Sequence, residues 1–307
     1  MTARGDRTVI GAVLLLLSLP VALALAEAVS FHVLNRNNGA IDSGGPREYL
    51  LHVPASYDRK RPTPLVISMH GAGLWPAAQM ETTRWNEAAE RHGFIVVYPA
   101  GEEGSGVRIW HVEQGPGLQR DVRFISRLID KLEATYNIDP ARIYADGLSN
   151  GGGMAFVLSC TMSDRIAAVG LVASAQLLPW SWCTDRRPVP MIAFHGTDDR
   201  VVPYHGGRSW VAPEAFPDIL GWARSWARRN RCAPSPGDSV VAADVTRRAY
   251  TNCAADAAVV LYTVQGGGHT WPGGKPLPAW FAGHTSRSVD ATAQLWEFFR
   301  EHPLASK

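Results

Sequence analysis

The sequence Gly147-Leu148-Ser149-Asn150-Gly151 places the tightest constraint on the fold of this chain. It follows the apolar run 142–146 and precedes an apolar, helix-like segment that begins at Gly153. A Gly-x-Ser-x-Gly motif between a strand and a helix is typical of a sharp turn that holds the central serine in a strained backbone conformation. Residues two before and two after the serine then approach so closely that only glycine fits. The motif therefore predicts a strand, a nucleophile elbow at Ser149 and a helix.

The rest of the chain alternates between strand-like and helix-like patterns. Short apolar runs predict strands over residues 47–53, 64–70, 94–98, 142–145, 167–173, 189–194 and 259–264. Apolar residues at helical spacing predict helices over residues 77–92, 121–136, 213–229 and 289–300. This alternation predicts an α/β fold whose central sheet is mostly parallel and carries helices on both faces. Because the sequence contains no repeat or linker, one domain over residues 27–307 is the simplest interpretation.

The N-terminus has the pattern of a secretory signal peptide. Arg4 and Arg7 precede the apolar run 9–26, which ends in a small-x-small cleavage site at Ala24-Leu25-Ala26. We therefore expect residues 1–26 to be removed and the mature protein to be secreted or periplasmic, without a membrane partner. The alternative is that the run stays as a membrane anchor. A net charge of +2 with no basic face argues against a nucleic-acid partner.

The four cysteines lie in the predicted mature part, at Cys160, Cys183, Cys232 and Cys253. In an oxidising compartment disulfides are the default, and four cysteines allow three pairings. The sequential pairing closes two short loops, each of which adds about 3 kcal/mol of stability in the loop-entropy model. No Cys-x-x-Cys spacing occurs, so no metal site is expected.

A serine nucleophile needs a base within hydrogen-bond reach and an acid that orients this base. In folds with a nucleophile elbow the acid comes next in the chain and the histidine last, each after a strand. The predicted strand 189–194 is followed by His195-Gly196-Thr197-Asp198-Asp199. Either Asp198 or Asp199 could be the acid, and the residue pattern alone does not choose between them.

Of the histidines beyond that loop, His269 is the best candidate for the base. It follows the predicted strand 259–264 and has glycines on both sides, which let the backbone approach other loops. His205 lies too close to the acid loop, and His302 belongs to the polar tail. His284, nearer the last helix, is the remaining alternative.

Two backbone N–H groups are candidates for an oxyanion hole. The segment His70-Gly71-Ala72-Gly73 leaves a predicted strand at the place where such folds supply one donor. The second donor is the N–H of Asn150, which the positive end of its helix reinforces. One such donor lowers a transition state by roughly 3 kcal/mol. We therefore predict that the N–H groups of Ala72 and Asn150 bind the oxyanion, although an ordinary glycine turn at residues 70–73 is the alternative.

With these residues in place, the chain resembles the secreted esterases of the polyhydroxybutyrate depolymerase and feruloyl esterase family, within the α/β-hydrolases. The resemblance covers about Arg47 to Phe299. It rests on the segments His70-Gly71-Ala72-Gly73, Gly147-Leu148-Ser149-Asn150-Gly151-Gly152, His195-Gly196-Thr197-Asp198-Asp199, Gly268-His269-Thr270-Trp271-Pro272-Gly273 and Gly283-His284-Thr285-Ser286. It implies an α/β-hydrolase fold.

The resemblance also implies particular roles. The family's acid follows His-Gly-Thr-x, which is the position of Asp199, while its base falls on His269 and its nucleophile on Ser149. The family often has arginine at the position of His284. Many relatives have glycine or another small residue in place of Ala72, and the N–H donor remains in either case. Cysteines at matching positions imply the sequential pairing, Cys160 with Cys183 and Cys232 with Cys253.

The activity implied is that of a serine carboxylic-ester hydrolase that works through an acyl-enzyme and needs no metal or organic cofactor. The chain ends soon after Phe299 without a separate polymer-binding domain, so we expect feruloyl or acetyl esters of polysaccharide fragments, or hydroxyalkanoate esters, as substrates. We expect Trp110, His111 and Trp271 to line the substrate cleft. The alternatives are a peptidase of the same fold and a non-catalytic polysaccharide-binding protein.

Overall fold

The computed structural model describes residues 41–42, 46–104 and 106–305, so the predicted signal peptide, residues 1–26, lies outside the described residues. A nine-stranded sheet runs through the described part of the chain. Its strands are β1 Tyr49–His52, β2 Thr63–Met69, β3 Ile95–Pro99, β4 Ile138–Leu148, β5 Val169–Val172, β6 Met191–Gly196, β7 Gly237–Ala242, β8 Val245–Tyr250 and β9 Val259–Val264. Among the described residues three short antiparallel strand pairs lie outside it, Ile41–Asp42 with Pro46–Arg47, Glu102–Gly104 with Val107–Ile109, and Gly207–Ser209 with Ala212–Phe216.

The strands lie side by side in the order β7-β8-β9-β6-β5-β4-β2-β3-β1. From β9 to β3 every neighbouring pair is parallel. The antiparallel pairs are at the two edges, where β1 pairs with β3 and where β8 pairs with β9 and β7. The sheet is therefore mostly parallel, as the alternation of strands and helices predicted. Parallel strands direct all their carboxyl ends to one edge, where loops from several strands meet.

The helices are α1 Pro76–Thr83, α2 Trp85–His92, α3 Pro116–Thr135, α4 Asn150–Thr161, α5 Ile219–Arg229, α6 Ala279–Ala282 and α7 Ala291–Glu301, with 3-10 turns at Trp180–Trp182 and Ala254–Asp256. None of the helices in the described part of the chain has both the length and the apolar character that a bilayer crossing requires.

The two faces of the sheet are covered by different helices. Leu65 and Ile67 of β2 point to a core that includes the apolar sides of α3, α4 and α5. Val66, on the opposite face, belongs to a second core with α2 and α7. Residues on both faces of β2 are buried, which explains why the strand has a continuous apolar run instead of an alternating pattern. The predicted α/β class is confirmed.

The predicted helices have different bounds in the structure: helix 121–136 begins earlier, at Pro116, and helix 289–300 lies at Ala291–Glu301. The segment 77–92 forms two helices because Arg84 adopts a left-handed conformation with φ 57°, which ends one helix and starts the next. The segment 213–229 is helical only from Ile219, where the side chain of Asp218 accepts a backbone N–H of the first turn at 2.7 Å. The hairpin of β7 and β8 was not predicted, since β7 lies at an edge with its side chains exposed and shows no apolar face.

The structure contains two disulfides, Cys160–Cys183 and Cys232–Cys253. The first joins the end of α4 to the residue that follows the 3-10 turn Trp180–Trp182, and the second joins the segments that follow α5 and β8. These links close loops of sequence separation 23 and 21. In the loop-entropy model, cross-links of this span each stabilise a fold by about 3 kcal/mol.

A buried carboxyl group lies in the strand that leads to Ser149. Asp146 has no exposed surface, and its Oδ1 accepts a hydrogen bond from Ser68 Oγ at 2.7 Å. Ser68 in turn accepts from Gln79 Nε2 at 3.0 Å. Burial raises the pKa of Asp146 to about 8, although the Ser68 hydrogen bond lowers it in part. The carboxyl group is therefore protonated in the folded protein at neutral pH.

The raised pKa of Asp146 predicts that the protein loses stability as the pH rises. Because the pKa is about 8 in the folded protein against an ordinary 3.8, the folded state holds this proton over a range in which the unfolded state releases it. The free energy of unfolding should therefore fall between about pH 4 and pH 8. The Asp146→Asn variant has no carboxyl group at this position and should escape this loss. Its melting temperature minus that of the wild type should therefore be larger at pH 9 than at pH 5.

The exposed residue Glu301, at the end of α7, offers a control, since Glu301→Gln removes a carboxylate that lies in water. Its melting temperature relative to the wild type should not change over the same pH range. If the difference in melting temperature between Asp146→Asn and the wild type were the same at pH 5 and pH 9, the assignment of a buried, protonated carboxyl group would be contradicted.

Candidate active site

Ser149 lies in a strained turn between β4, which ends at Leu148, and α4, which begins at Asn150. Its φ is 55° and its ψ is −119°, a region that residues other than glycine rarely adopt. The Ser149 N–H donates to the carbonyl of Val172 at the end of β5, at 2.9 Å. This bond holds the turn at the carboxyl edge of the sheet, in the middle of the parallel strands.

The glycines on either side allow this turn to form. A Cβ on Gly147 would lie 2.2 Å from the carbonyl carbon of Gly151, and a Cβ on Gly151 would lie 2.2 Å from the carbonyl oxygen of Met69. Distances below 3.0 Å are essentially never seen for a real Cβ. Because the obstructing atoms are backbone, no side-chain movement can make room. The elbow therefore requires glycine at both positions.

Asp199 and His269 form a buried pair on two neighbouring loops. Asp199 follows β6, His269 follows β9, and these strands are parallel neighbours. His269 Nδ1 lies 2.8 Å from Asp199 Oδ2. Since an ionised carboxylate only accepts hydrogen bonds, Nδ1 donates, and the other ring nitrogen, Nε2, remains an acceptor. This is the tautomer that a general base needs.

The surroundings of Asp199 keep its carboxyl group ionised. Burial by itself raises its pKa, but the hydrogen bond from His269, the nearby His195 and the backbone N–H of Val202 outweigh burial, and the pKa lies below its ordinary value. The N–H groups of Val201 and Val202 both donate to Oδ1 at 2.8 Å. The carboxylate is thus fixed by two backbone donors on one oxygen and by the imidazole on the other.

The structure separates the candidates that the residue pattern left open. Asp198 is exposed, and its Oδ1 lies 3.4 Å from Thr197 Oγ1, away from the imidazole. His284 is also exposed, and its backbone carbonyl accepts the N–H of Gly268 at 2.9 Å. Asp199 and His269 are therefore the aspartate and histidine that face each other.

Ser149 and His269 line the same cavity, which has a volume of about 860 Å³. Among the described residues no hydrogen bond joins Ser149 to His269. Hydrogen bonds of this kind are often long in a site without substrate and shorten only when the substrate is bound. The cavity also contains the two predicted oxyanion-hole residues, Ala72 and Asn150.

The turn at residues 71–74 lies directly beside the serine. A Cβ on Gly71 would be 3.5 Å from the Cβ of Ser149. Within this turn the N–H of Gly73 donates to Arg108 and that of Leu74 to Gly71. For the N–H of Ala72 the described part of the chain provides no acceptor. Asn150 begins α4, and N–H groups in a first helical turn have no partner within the helix.

A neutral histidine supports the turn at residues 71–74. His70 Nδ1 donates to the Gly71 carbonyl at 2.8 Å, and Nε2 accepts the N–H of Gly101 at 2.9 Å. Burial lowers the pKa of His70 to about 4, so the ring stays neutral and can accept at one nitrogen while it donates at the other. Asn150 is held similarly, because its side-chain amide exchanges two hydrogen bonds, of 2.7 and 2.9 Å, with the backbone of Trp110.

Comparison with known proteins agrees with this geometry. Residues 47–178 match the family model described as esterase PHB depolymerase. Feruloyl esterase B from Piromyces equi is 31% identical over 236 residues, which are 75% of this chain and 44% of that protein. Poly(3-hydroxyalkanoate) depolymerase C from Paucimonas lemoignei is 24% identical over 284 residues, 84% of this chain and 66% of that protein. Residues 47–178 thus carry an esterase PHB depolymerase domain, and over a wider range the chain is similar to a feruloyl esterase and to a poly(3-hydroxyalkanoate) depolymerase.

The likeness to solved structures concerns the fold. A CE1 ferulic acid esterase from Anaeromyces mucronatus, solved in complex with ferulic acid, superposes with a TM-score of 0.53 and 15% identity, and the match covers 86% of this chain and 88% of that one. This chain therefore has the α/β-hydrolase fold. It spans less than half the length of feruloyl esterase B, the first of the relatives named above.

One of the three predicted cleft residues is not among the residues that line the cavity. Trp271 is only 1% exposed and does not line the cavity. It packs in the core that includes α2 and α7, where its Nε1 donates to Thr292 Oγ1 at 2.9 Å. Although it lies only two residues after His269, its indole belongs to the core on the side of the sheet that α2 and α7 cover. Trp271 therefore anchors the histidine loop and is not a wall of the cleft.

The other two predicted cleft residues do line the cavity. Trp110 is almost fully buried, and its Nε1 donates to the His70 carbonyl at 3.1 Å. His111 is partly exposed, with Nδ1 3.0 Å from Asp121 Oδ2. Both side chains are thus engaged with the protein itself, which leaves them less free to bind a ligand than the sequence suggested.

Exposed aromatic residues that the sequence analysis missed surround the mouth of the cavity. Trp210, at the tip of the hairpin Gly207–Ser209 with Ala212–Phe216, is 71% exposed, and Trp280, in α6, is 89% exposed. Both line the cavity, as does Phe281, whose ring lies between them with centroids 5.9 and 6.0 Å away. We call these three residues the aromatic rim. Exposed aromatic groups at a cavity mouth are characteristic of a binding surface.

One cluster has the composition of a metal site. Side-chain ligand atoms of Glu102, His111 and Asp121 lie within 4.8 Å of one another. Each carboxylate, however, already has a guanidinium partner, since Arg47 lies 2.8 Å from Asp121 and Arg120 lies 2.9 Å from Glu102. These contacts neutralise the charge that would attract a cation. The cluster is better described as an ion-pair network behind the loop that carries Trp110.

The close approach at the elbow predicts that Gly151→Ala destabilises the protein. The added methyl group would overlap the carbonyl of Met69, so the strand or the helix must shift, at a cost of about 1–3 kcal/mol. We expect the melting temperature to fall by roughly 5 °C. Gly237→Ala is the control, because a Cβ there meets no atom within 4 Å. Equal melting temperatures for the two variants would contradict the crowded elbow.

Proposed function

We propose that this protein is a secreted serine carboxylic-ester hydrolase that works through an acyl-enzyme. The observation that carries the proposal is the buried pair of Asp199 and His269, joined at 2.8 Å, which shares one cavity with the strained Ser149. The match to an esterase family model and the similarity to a feruloyl esterase support the same chemistry. The two disulfides favour an oxidising compartment, and therefore secretion.

In the first half of the proposed reaction the Ser149 Oγ attacks the ester carbonyl. His269 Nε2 takes the hydroxyl proton, and Asp199 holds the imidazole and stabilises its positive charge. The N–H groups of Ala72 and Asn150 donate to the oxyanion that forms on the carbonyl oxygen. His269 then gives its proton to the departing alcohol, which leaves the acyl group on Ser149.

In the second half a water molecule takes the place of the alcohol. His269 removes a proton from this water, the resulting hydroxide attacks the acyl carbonyl, and the bond to Ser149 breaks as the proton returns to its Oγ. The products are the free acid and the regenerated serine. No step requires a metal or an organic cofactor.

We propose esters with a bulky, largely apolar part as the substrates. The aromatic rim and the volume of about 860 Å³ support this class, because a pocket for acetate alone would be much smaller. The names of relatives point to feruloyl esters and to poly(3-hydroxyalkanoates). Feruloyl esters of polysaccharides and hydroxyalkanoate esters are therefore the favoured substrates, and acetyl esters of polysaccharides, which have a smaller acyl group, are the alternative. Hydrolysis rates for methyl ferulate, acetylated xylan, hydroxybutyrate oligomers and p-nitrophenyl acetate would rank them.

The role of Ser149 predicts that Ser149→Ala lowers the turnover number by about 10³-fold or more, because the attacking oxygen is absent. The variant should melt at or above the wild-type temperature, since alanine keeps the Cβ. The measurement is hydrolysis of p-nitrophenyl acetate, with a fluorophosphonate probe as a second assay that should label the wild type alone.

Three results would count against this assignment. Full activity of a folded Ser149→Ala variant would exclude Ser149 as the nucleophile. Absence of both labelling and hydrolysis in the wild type would favour a non-catalytic binding protein. Faster cleavage of an amide than of the ester of the same acyl group would favour a peptidase.

The two adjacent aspartates give a matched pair of variants. Asp199→Asn should lower the turnover number by about 10³–10⁴-fold, because the amide cannot hold the imidazole in the required tautomer. Asp198→Asn makes the same chemical change on an exposed side chain and should leave the rate within about twofold of the wild type. Comparable losses in both variants, measured at pH 7 on one ester, would refute Asp199 as the acid.

A further inference from the structure

A polar side chain that the proposed mechanism does not use lies in the cavity wall. Gln176 is in the loop that follows β5, lines the cavity that contains Ser149 and is 8% exposed. Its neighbours in the wall are largely apolar, among them Phe156, Leu177 and Val202. An amide in such surroundings is costly unless its polar atoms find partners, so its orientation and its partners need an explanation.

The orientation of the Gln176 amide is set by an indole. Trp222 Nε1 donates a hydrogen bond to Gln176 Oε1. An indole N–H can only donate, so the amide atom that faces it must be the oxygen, and the assignment of oxygen and nitrogen is settled by chemistry. Trp222 is itself buried in α5, which fixes the position of this donor.

The amide nitrogen of Gln176 is left with two N–H groups. Within the described part of the chain Nε2 has no hydrogen-bond partner. Polar atoms that lack a partner and are fully enclosed occur elsewhere in the described residues, but Nε2 is not one of them, so it keeps some exposed surface. It is therefore accessible from the cavity. The wall thus offers a donor that is aimed by the protein and that only an occupant of the cavity can satisfy.

We propose that Gln176 is a specificity-determining residue whose Nε2 donates a hydrogen bond to a second oxygen of the substrate, distinct from the scissile ester. This inference rests on the proposed esterase function. The oxygen must be an acceptor, since Nε2 has no lone pair to offer. An ether or hydroxyl oxygen on an aromatic ring and the carbonyl of a neighbouring ester unit both provide it. An ester without such an oxygen leaves the donor buried and unpaired, which weakens its transition state.

The test uses two pairs of esters that differ in this oxygen. Methyl 3,4-dimethoxycinnamate has ring ether acceptors that methyl cinnamate lacks, and a 3-hydroxybutyrate trimer has neighbouring carbonyls that ethyl hexanoate lacks. Gln176→Met removes both N–H groups at nearly constant volume. We expect Gln176→Met to lower kcat/KM about tenfold for the acceptor-bearing ester of at least one pair. For the ester of that pair without the acceptor, kcat/KM should stay within about twofold of the wild-type value.

Gln176→Glu is a sharper variant. A carboxylate can still accept from Trp222, but it presents an acceptor where the amide presented a donor, so the loss on the acceptor-bearing ester should exceed that of Gln176→Met. Gln114→Met, at an exposed position of the same cavity, makes the identical change without the fixed amide and should show no selective loss. Melting temperatures of all variants show whether folding is preserved.

The outcomes separate this inference from the function on which it rests. Selective loss in the aromatic pair identifies a ring oxygen as the acceptor, and selective loss in the aliphatic pair identifies the ester carbonyl. If the wild type is active and the Gln176 variants change kcat/KM equally for both esters of each pair, or for neither, the role of Gln176 is overturned while the esterase function stands. A wild type that hydrolyses none of the four esters would overturn the proposed function as well.

Discussion

The crowding of backbone at the end of β4 is the constraint on which the site depends. Gly147, Gly151 and the carbonyl of Met69 approach so closely that a single added carbon at either glycine would collide with main-chain atoms. This packing forces Ser149 to a φ of 55° and presents it at the head of α4. The strain is held by bonds that belong to the sheet, such as that from Ser149 to Val172. The geometry of the serine is therefore a consequence of how β2, β4 and β5 pair, and it does not rely on contacts in the cavity.

The same sheet explains how distant parts of the chain meet. Ser149, Asp199 and His269 each follow a parallel strand, so their loops leave the sheet at one edge. Anchors below that edge then fix each loop. Asp199 is held by two backbone N–H groups, and the segment after His269 is held by the indole of Trp271 in the opposite core. The turn at residues 71–74, which we propose binds the oxyanion, is held by the neutral ring of His70. Each proposed catalytic group is thus supported by buried groups that the cavity does not expose.

Local patterns predicted the parts of the fold that depend on local chemistry. The elbow glycines, the strand and helix alternation and the position of His269 after β9 are readable because each follows from steric limits or from periodicity within a few residues. The choice between Asp198 and Asp199 needed either a resemblance or three-dimensional contacts, since both belong to one turn. The break at Arg84 and the exposed strand β7 escaped prediction because neither leaves a periodic apolar signal.

The prediction for Trp271 failed for a reason that also explains what was missed. A tryptophan two residues from a catalytic candidate suggests a residue of the cleft wall. The direction of its side chain, however, depends on how the loop packs, and the residue type alone does not determine that packing. The aromatic rim lies on two segments distant from any motif, and only tertiary contacts bring Trp210 and Phe281 together. Gln176 is the clearest case, because its amide acquires a direction only through the indole of Trp222, 46 residues away in the sequence. The proposed chemistry at the ester bond therefore rests on residues in short motifs, whereas the proposed selectivity rests on contacts between elements that are distant in the sequence.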